Sequence, residues 1–243
     1  MDLGIAGRAA LVTAASKGLG RAAATALAGE GVKVAICARG HEALADAASS
    51  LRSSGAEVLA IPADVTEPST PATLVAATVE AFGSLDILVG NAGGPPPGRA
   101  LEVDDAAMVA AVNANLLTSV RLVREAVPHM RAGGWGRICL ITSYSVKQPI
   151  PTLALSNTAR TGLWAWSKTA AADLFPEGIT LNLLAPGLHD TERVRQLSGG
   201  GGGGPMGDPA DFGRVAAFLC SEPARFITGV ALQVDGGATL GLL

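Results

Sequence analysis

Apolar residues gather along the chain in short runs, separated by longer alanine-rich stretches in which they recur every three or four positions. The runs Ala9–Thr13, Val32–Cys37, Val58–Ile61, Leu85–Val89, Ile138–Thr142, Ile179–Leu184 and Ala231–Val234 predict seven strands. Being apolar at successive positions, they fit strands covered on both faces, whereas a sheet with one face in water alternates. Helical spacing predicts helices at Gly18–Gly29, His41–Ser54, Pro71–Phe82, Asp105–Ala132, Leu155–Phe175 and Pro209–Ser221. This alternation implies right-handed crossovers and an α/β fold, a doubly wound parallel sheet of seven strands with helices on both faces. No internal repeat or linker interrupts it, so residues 1–243 are expected to form a single domain.

Composition narrows the function. The chain has 243 residues, 49% of them hydrophobic and 16% charged, with a formal charge of −3. That balance, and the lack of a basic run, argue against nucleic acid or an anionic membrane surface as a partner. No apolar run approaches the ~20 residues of a membrane span. An N-terminal stretch carrying Asp2, Gly4, Gly7 and Arg8 does not fit a secretion segment, and a cytoplasmic location is expected. Cys37, Cys139 and Cys220 are far apart in apolar sequence, as buried reduced thiols are. His41, His129 and His189 show no ligand spacing, so no metal is expected. Ser198 followed by Gly199 to Gly204 has almost no conformational preference and reads as a loop, either a tolerated surface insertion or a substrate lid.

Sheets of this kind bind ligands beyond the carboxyl ends of their strands. The first strand leads through Thr13-Ala14-Ala15-Ser16-Lys17-Gly18-Leu19-Gly20 straight into a helix. Glycines there let backbone approach a pyrophosphate, and the helix N-terminus offers unpaired N–H groups and the positive end of its dipole. The second strand ends Ile36-Cys37-Ala38-Arg39, with no acid to hold an adenosine 2′-hydroxyl. Arg39, with Lys17 on the same side, favours the 2′-phosphate of NADP(H); the alternative is that Arg39 is a solvated start to the next helix. Asp64, followed by Val65, stands where a side chain can meet the adenine, and Asn91-Ala92-Gly93-Gly94 continues the same edge. Both segments also suit ordinary turns.

Together these residues resemble the short-chain dehydrogenase/reductase family over essentially the whole chain. The family's T-G-x-x-x-G-x-G turn stands as Thr13 to Gly20, with Ala14 in place of the first glycine, and its N-N-A-G as Gly90-Asn91-Ala92-Gly93. Its P-G and the threonine beyond stand as Pro186, Gly187 and Thr191, and its closing V-D-G-G as Val234-Asp235-Gly236-Gly237. The likeness is greatest to 3-oxoacyl-carrier-protein reductases and related NADPH ketoreductases. It implies a Rossmann-type fold, bound NADP(H), and hydride transfer between nicotinamide and the carbonyl or alcohol carbon of a small molecule. By the same resemblance Ser143 matches the serine that hydrogen-bonds the carbonyl oxygen, and Asn115 the asparagine of the catalytic set.

The family's Y-x-x-x-K is not matched. Its usual spacing from Ser143 on one side and from Asn182 on the other places it on Ser156-Asn157-Thr158-Ala159-Arg160. Placing it on Trp164 to Lys168 requires two compensating shifts and is rejected. Positions i and i+4 share a helix face, so Ser156 and Arg160 are expected to point into the cleft as tyrosine and lysine would. A phenol of pKa ~10 beside a cation shares its proton near neutrality, while an aliphatic hydroxyl, much nearer the ~15.7 of water, does not. Arginine holds ribose hydroxyls or stabilises an oxyanion without shuttling protons. Three readings stay open. A water held by Ser143, Ser156 and Asn115 supplies the proton while Arg160 steadies the oxygen; or Tyr144, the only tyrosine, substitutes, which requires a turn directly after Ser143; or the protein is a non-catalytic NADP(H)-binding sensor or scaffold.

The segment 188–204 lies where the family carries its substrate lid. Arg193 and Arg195 within it read as solvated charges, with an anionic substrate or carrier as the alternative. Trp164 and Trp166 read as helix-packing or interface residues. The alanine-rich helices Asp105–Ala132 and Leu155–Phe175 and the tail Ala238–Leu243 suit subunit contacts, and the resemblance implies a homotetramer or homodimer.

Overall fold

The computed structural model describes residues 1–197 and 206–242; Ser198, the glycine run Gly199–Gly204, Pro205 and Leu243 lie outside them. Strands β1 (Ala9–Val12), β2 (Lys33–Ala38), β3 (Val58–Pro62), β4 (Ile87–Gly90), β5 (Gly136–Ile141), β6 (Ile179–Pro186) and β7 (Ala231–Val234) form one parallel sheet in the order β3-β2-β1-β4-β5-β6-β7. The helices are α1 (Gly18–Gly29), α2 (His41–Ser53), α3 (Thr70–Phe82), α4 (Asp105–Val112), α5 (Thr118–Gly133), α6 (Ala154–Leu174), α7 (Glu192–Leu197) and α8 (Pro209–Leu219).

Successive strand residues enter opposite cores, which is why the runs are apolar throughout. Val34 and Ile36 of β2 pack with Leu27, Leu44 and Phe212 beneath α1, α2 and α8. Ala35 and Cys37 join Leu74, Leu122, Met130 and Leu163 beneath α3, α5 and α6. Local chemistry sets the ends of the elements. Asp104 caps α4 by accepting from the Ala107 N–H at 2.8 Å, and Asp208 caps α8 from Ala210 at 2.8 Å, with Pro209 in the first turn. Gly83 and Gly134 end α3 and α5 at φ of 83° and 62°, left-handed conformations that favour glycine.

The chain winds outward from β1 to β3, then crosses back and proceeds from β4 to β7, so strand order reverses between β1 and β4. A ligand crevice therefore opens beyond the carboxyl ends of those two strands, at Thr13 and Asn91. The helix expected at Asp105–Ala132 differs from expectation in one respect: a π turn, Asn113–Leu117, separates α4 from α5. Together Asp105–Gly133 make a rod long and apolar enough, by length and composition, to cross a membrane, although no single run in the sequence is. Leu122, Val123, Ala126, Val127 and Met130 of this rod are buried in the core beside the sheet. Three further elements were not expected: α7, too short at six residues to show a period, and 3₁₀ turns at Tyr144–Val146 and Phe175–Glu177.

Candidate active site

The crevice is framed by a reciprocal pair. The Thr13 hydroxyl donates to the Asn91 carbonyl at 2.7 Å and accepts from the Asn91 N–H at 2.8 Å, locking the carboxyl ends of β1 and β4 together. Between them the Thr13–Gly20 turn is tightly folded. A Cβ at Gly20 would collide with the Ala14 carbonyl oxygen and stand 2.9 Å from the Asn91 amide nitrogen, so only glycine fits. Ala14 itself has φ of 48° and is the one described non-glycine residue in the left-handed region, at the position where the resemblance expects glycine. The turn delivers the chain to α1, whose N-cap residue, Lys17, makes no side-chain capping bond and whose first turn holds no acid. Its N–H groups and positive dipole end are thus left for an anion. Gly213 on α8 packs directly against the Ala22 carbonyl of α1, which fixes the helix in place.

Ser16, Leu19, Asn91 and Ala92 are half-buried along this edge, and Gly93 is exposed. At its far side the Arg39 guanidinium lies 3.9 Å from the Asp64 carboxylate, with both side chains open to solvent. Asp64 also accepts from the Thr66 N–H at 3.0 Å and hydroxyl at 2.8 Å, and these bonds hold its carboxyl below the usual range. Val65 is buried beside it. The free thiol of Cys37, behind this wall, is pushed up to about 12 by burial and the nearby Asp64 charge, so it stays protonated.

The other half of the crevice is built on β5, α6 and the π turn. Ser143 follows the carboxyl end of β5 with extended backbone and caps the 3₁₀ turn, its Oγ accepting from the Ser145 N–H at 3.1 Å. Its hydroxyl proton remains available to a ligand. Arg160 is buried on α6, and its Nη1 donates to the carbonyls of Ile141 at 3.1 Å and Thr142 at 2.8 Å, while Nε has no partner. Burial, and secondarily Arg193, push its pKa down to about 10, still cationic at neutral pH. Ser156, one turn earlier on α6, is buried as well. Asn115 is buried in the π turn; its amide reaches the Ala111 carbonyl at 3.5 Å and its Oδ1 has no partner. The π turn approaches α6 closely, since a Cβ at Gly162 would stand 2.8 Å from Leu116.

Tyr144 is half-buried in the 3₁₀ turn, so the turn that its substitution would need is present; no hydrogen bond to its hydroxyl is formed within the described residues. Lys168 extends toward Gly229, whose N–H bonds the Leu181 carbonyl in the first half of β6, away from the carboxyl edge. Trp164 and Trp166 pack on the core beside α5 and α6.

Pro186 ends β6, and Gly187 after it is pressed on the Asp235 backbone beyond β7. The chain then returns over the crevice. Thr191 lies against Gly18, and Glu192 meets Lys17 at 2.6 Å, so one of the two cations read as phosphate ligands is engaged across the cleft mouth. Arg195 pairs with Asp190 at 2.7 Å. Arg193, read as solvated, instead donates to the Pro95 carbonyl at 3.0 Å from the opposite wall. Nothing in a linear sequence signals that reach. No group of three or more His, Cys, Asp or Glu among the described residues is placed to hold a metal.

Residues 13–239 match the protein-family profile described as Enoyl-(Acyl carrier protein) reductase. Dehydrogenase/reductase SDR family member 4 of Homo sapiens is 31% identical over 96% of this chain and 88% of its own length. The chain belongs to the short-chain dehydrogenase/reductase family. Within that family, 2,5-dichloro-2,5-cyclohexadiene-1,4-diol dehydrogenase of Sphingobium indicum is 32% identical over 98% of both chains. L-sorbose reductase of Gluconobacter frateurii, solved with NADPH and L-sorbose, superposes over 100% of both chains with a TM-score of 0.93 at 32% identity. The actinorhodin polyketide ketoreductase, solved with NADPH, has a TM-score of 0.88 at 31% identity over 95% of this chain and 96% of its own. The seven-stranded Rossmann-type sheet read from the sequence is therefore the fold of these reductases.

Proposed function

We propose that this short-chain dehydrogenase/reductase binds NADP(H) and reduces the carbonyl group of a small ketone or 3-oxoacyl compound, with Ser156 and Arg160 at the places of the family's tyrosine and lysine. The glycine cradle at Gly20 and the uncapped N-terminus of α1 fit a pyrophosphate. Thr13, Ser16, Lys17, Gly18, Leu19, Asn91, Ala92, Gly93, Pro186, Gly187 and Thr191 line its path, and Asp64 and Val65 the adenine end. Arg39 at the end of β2, where no acid stands, supports the 2′-phosphorylated form. NADPH-bound structures among the relatives support the same choice.

When bound, NADPH supplies the hydride. One observation carries the assignment of what the chain does: Arg160 is tied to the carbonyl of Thr142, one residue before Ser143. A buried permanent cation is thus fixed beside the hydroxyl that meets the substrate oxygen. Ser143 donates to that oxygen, and Arg160 offsets the negative charge that collects on it. Neither is an acid near neutral pH, so the proton comes from a water, for which the partnerless Asn115 Oδ1 is an acceptor and the Ser156 hydroxyl a second contact. Loss of a positioned general acid typically costs ~10²–10⁴ in rate, so turnover is expected to be slow for the family. Exposed Val109 and Leu117 on the α4–α5 rod support assembly as a homodimer or homotetramer through this rod.

Titration with NADPH and NADH, followed by oxidation of NADPH with ketones and 3-oxoacyl thioesters, tests the reading. Tighter binding of NADPH and oxidation that falls at least tenfold in Ser143→Ala support it. Binding without oxidation above the buffer rate supports the alternative, a non-catalytic NADP(H)-binding module.

A further inference from the structure

Arg193 gives the crevice a feature that hydride transfer to a neutral carbonyl does not require. From the short helix α7 its side chain crosses to the opposite wall, donating to the Pro95 carbonyl, with the guanidinium 3.6 Å from the place a Gly94 Cβ would occupy. Its positive charge reaches Arg160 and, second to burial, disfavours the charged form of that side chain. No carboxylate among the described residues pairs with either. The two acids that flank Arg193 in α7 and just before it are committed elsewhere, Glu192 to Lys17 and Asp190 to Arg195, and Asp64 on the far side of the crevice faces Arg39. Arg160 is buried and its Nε has no partner. Two guanidinium groups converging in one cleft without an acid are balanced when a ligand brings the negative charge. The cofactor's pyrophosphate has its own cradle at Gly18–Gly20 and α1, while Arg193 is anchored at the Pro95 wall, beyond Asn91 to Gly94.

We propose that Arg193, beside Arg160, receives a carboxylate of the substrate, so that the compound reduced is an oxo acid with a free carboxylate and not a thioester or neutral ketone. Planar guanidinium donors match a carboxylate in two-point fashion, and Arg193 exchanges its bond to the Pro95 carbonyl for this stronger, charge-assisted one. The proposal rests on the carbonyl-reductase reading above and sharpens its substrate class.

The test uses binding, so that it is independent of turnover. Oxamate and malonate, carboxylates with the outlines of 2-oxo and 3-oxo acids, are titrated by calorimetry into NADPH-saturated protein, with neutral oxamide as control. The expected result is that one of the two acids binds at least tenfold more tightly than oxamide. R193Q weakens that binding about 10- to 100-fold, as the loss of a charge-assisted bond does, and R193K restores part of it. NADPH affinity stays within twofold. The proposal is overturned if neither acid binds better than oxamide, or if R193Q binds them as wild type does. A loss of NADPH affinity in R193Q also overturns it, because the arginine then serves the cofactor phosphates. Failure of the wild type to oxidise NADPH with any neutral ketone, thioester or oxo acid counts against the reductase reading alone and leaves these titrations intact.

Discussion

Arg160 donates through Nη1 to the main-chain carbonyl of Thr142 at 2.8 Å, so a buried cation on α6 holds the carboxyl end of β5 just where Ser143 begins. A lysine at this position has one nitrogen to share, whereas arginine serves the sheet with one arm and keeps Nε without a partner. The double variant Ser156→Tyr with Arg160→Lys reinstates a phenol and an amine. Its kcat on a ketone is expected to rise ~10²-fold or more over wild type, the usual worth of a positioned general acid. If the variant folds and binds NADPH but turns over no faster, Ser156 and Arg160 are not the replaced pair.

Ala14 carries left-handed backbone at φ of 48° without being glycine. For an L-residue that conformation costs about 1–2 kcal/mol, partly offset by the greater chain entropy glycine loses on folding. Ala14→Gly is expected to stabilise the protein by up to about 1 kcal/mol, raising Tm by roughly 2–4 °C in thermal unfolding.

Gly20 admits no side chain, because Ala14 and Asn91 occupy the space. In Gly20→Ala either the turn or the Asn91 loop must move, and both border the pyrophosphate path. NADPH affinity, followed by tryptophan fluorescence, is expected to fall at least tenfold while the far-ultraviolet circular dichroism stays native. Unchanged affinity places the cofactor elsewhere.

At the opposite end of the sheet, Glu222 accepts from the Trp135 indole at 2.8 Å and from the buried Arg137 at 3.1 Å. These donors, the indole first and the guanidinium charge with it, hold its carboxyl below the usual range. A carboxyl depressed in the folded state stabilises above its unfolded pKa of ~4.3 and ceases to do so as pH falls through the lower folded value. Glu222→Gln is expected to cost ~1 kcal/mol at pH 7, reduced by its partial exposure. In urea unfolding the difference from wild type is expected to close below pH ~4.

Much of the site could be read in the order of residues. The Thr13–Gly20 turn, Arg39, Asn91 and Pro186-Gly187 follow strands directly, and a strand in a parallel sheet delivers its next residues to one edge, so position in sequence already implies position at the crevice. The assignment of Ser156 and Arg160 rests on spacing; both side chains are buried on α6. The π turn around Asn115 was not legible, because α4 and α5 are both ordinary helical sequence and the close approach of Leu116 to Gly162 on α6 joins residues far apart in the chain. The unpaired state of Arg160 Nε and Asn115 Oδ1 was equally hidden.

By itself the sequence determined the sheet and its ligand edge, since apolar runs on both faces leave parallel strands between helix layers as the one way to bury them. It also determined which chemical groups stand at that edge. Only the tertiary structure decided what those groups do to one another: that Arg160 bonds the β5 carbonyls, that Glu192 takes Lys17, and that Arg193 crosses to Pro95, 98 positions away. Local pattern acts through neighbours within a few residues, whereas a long charged side chain finds its partner among whatever the fold brings within a few ångströms.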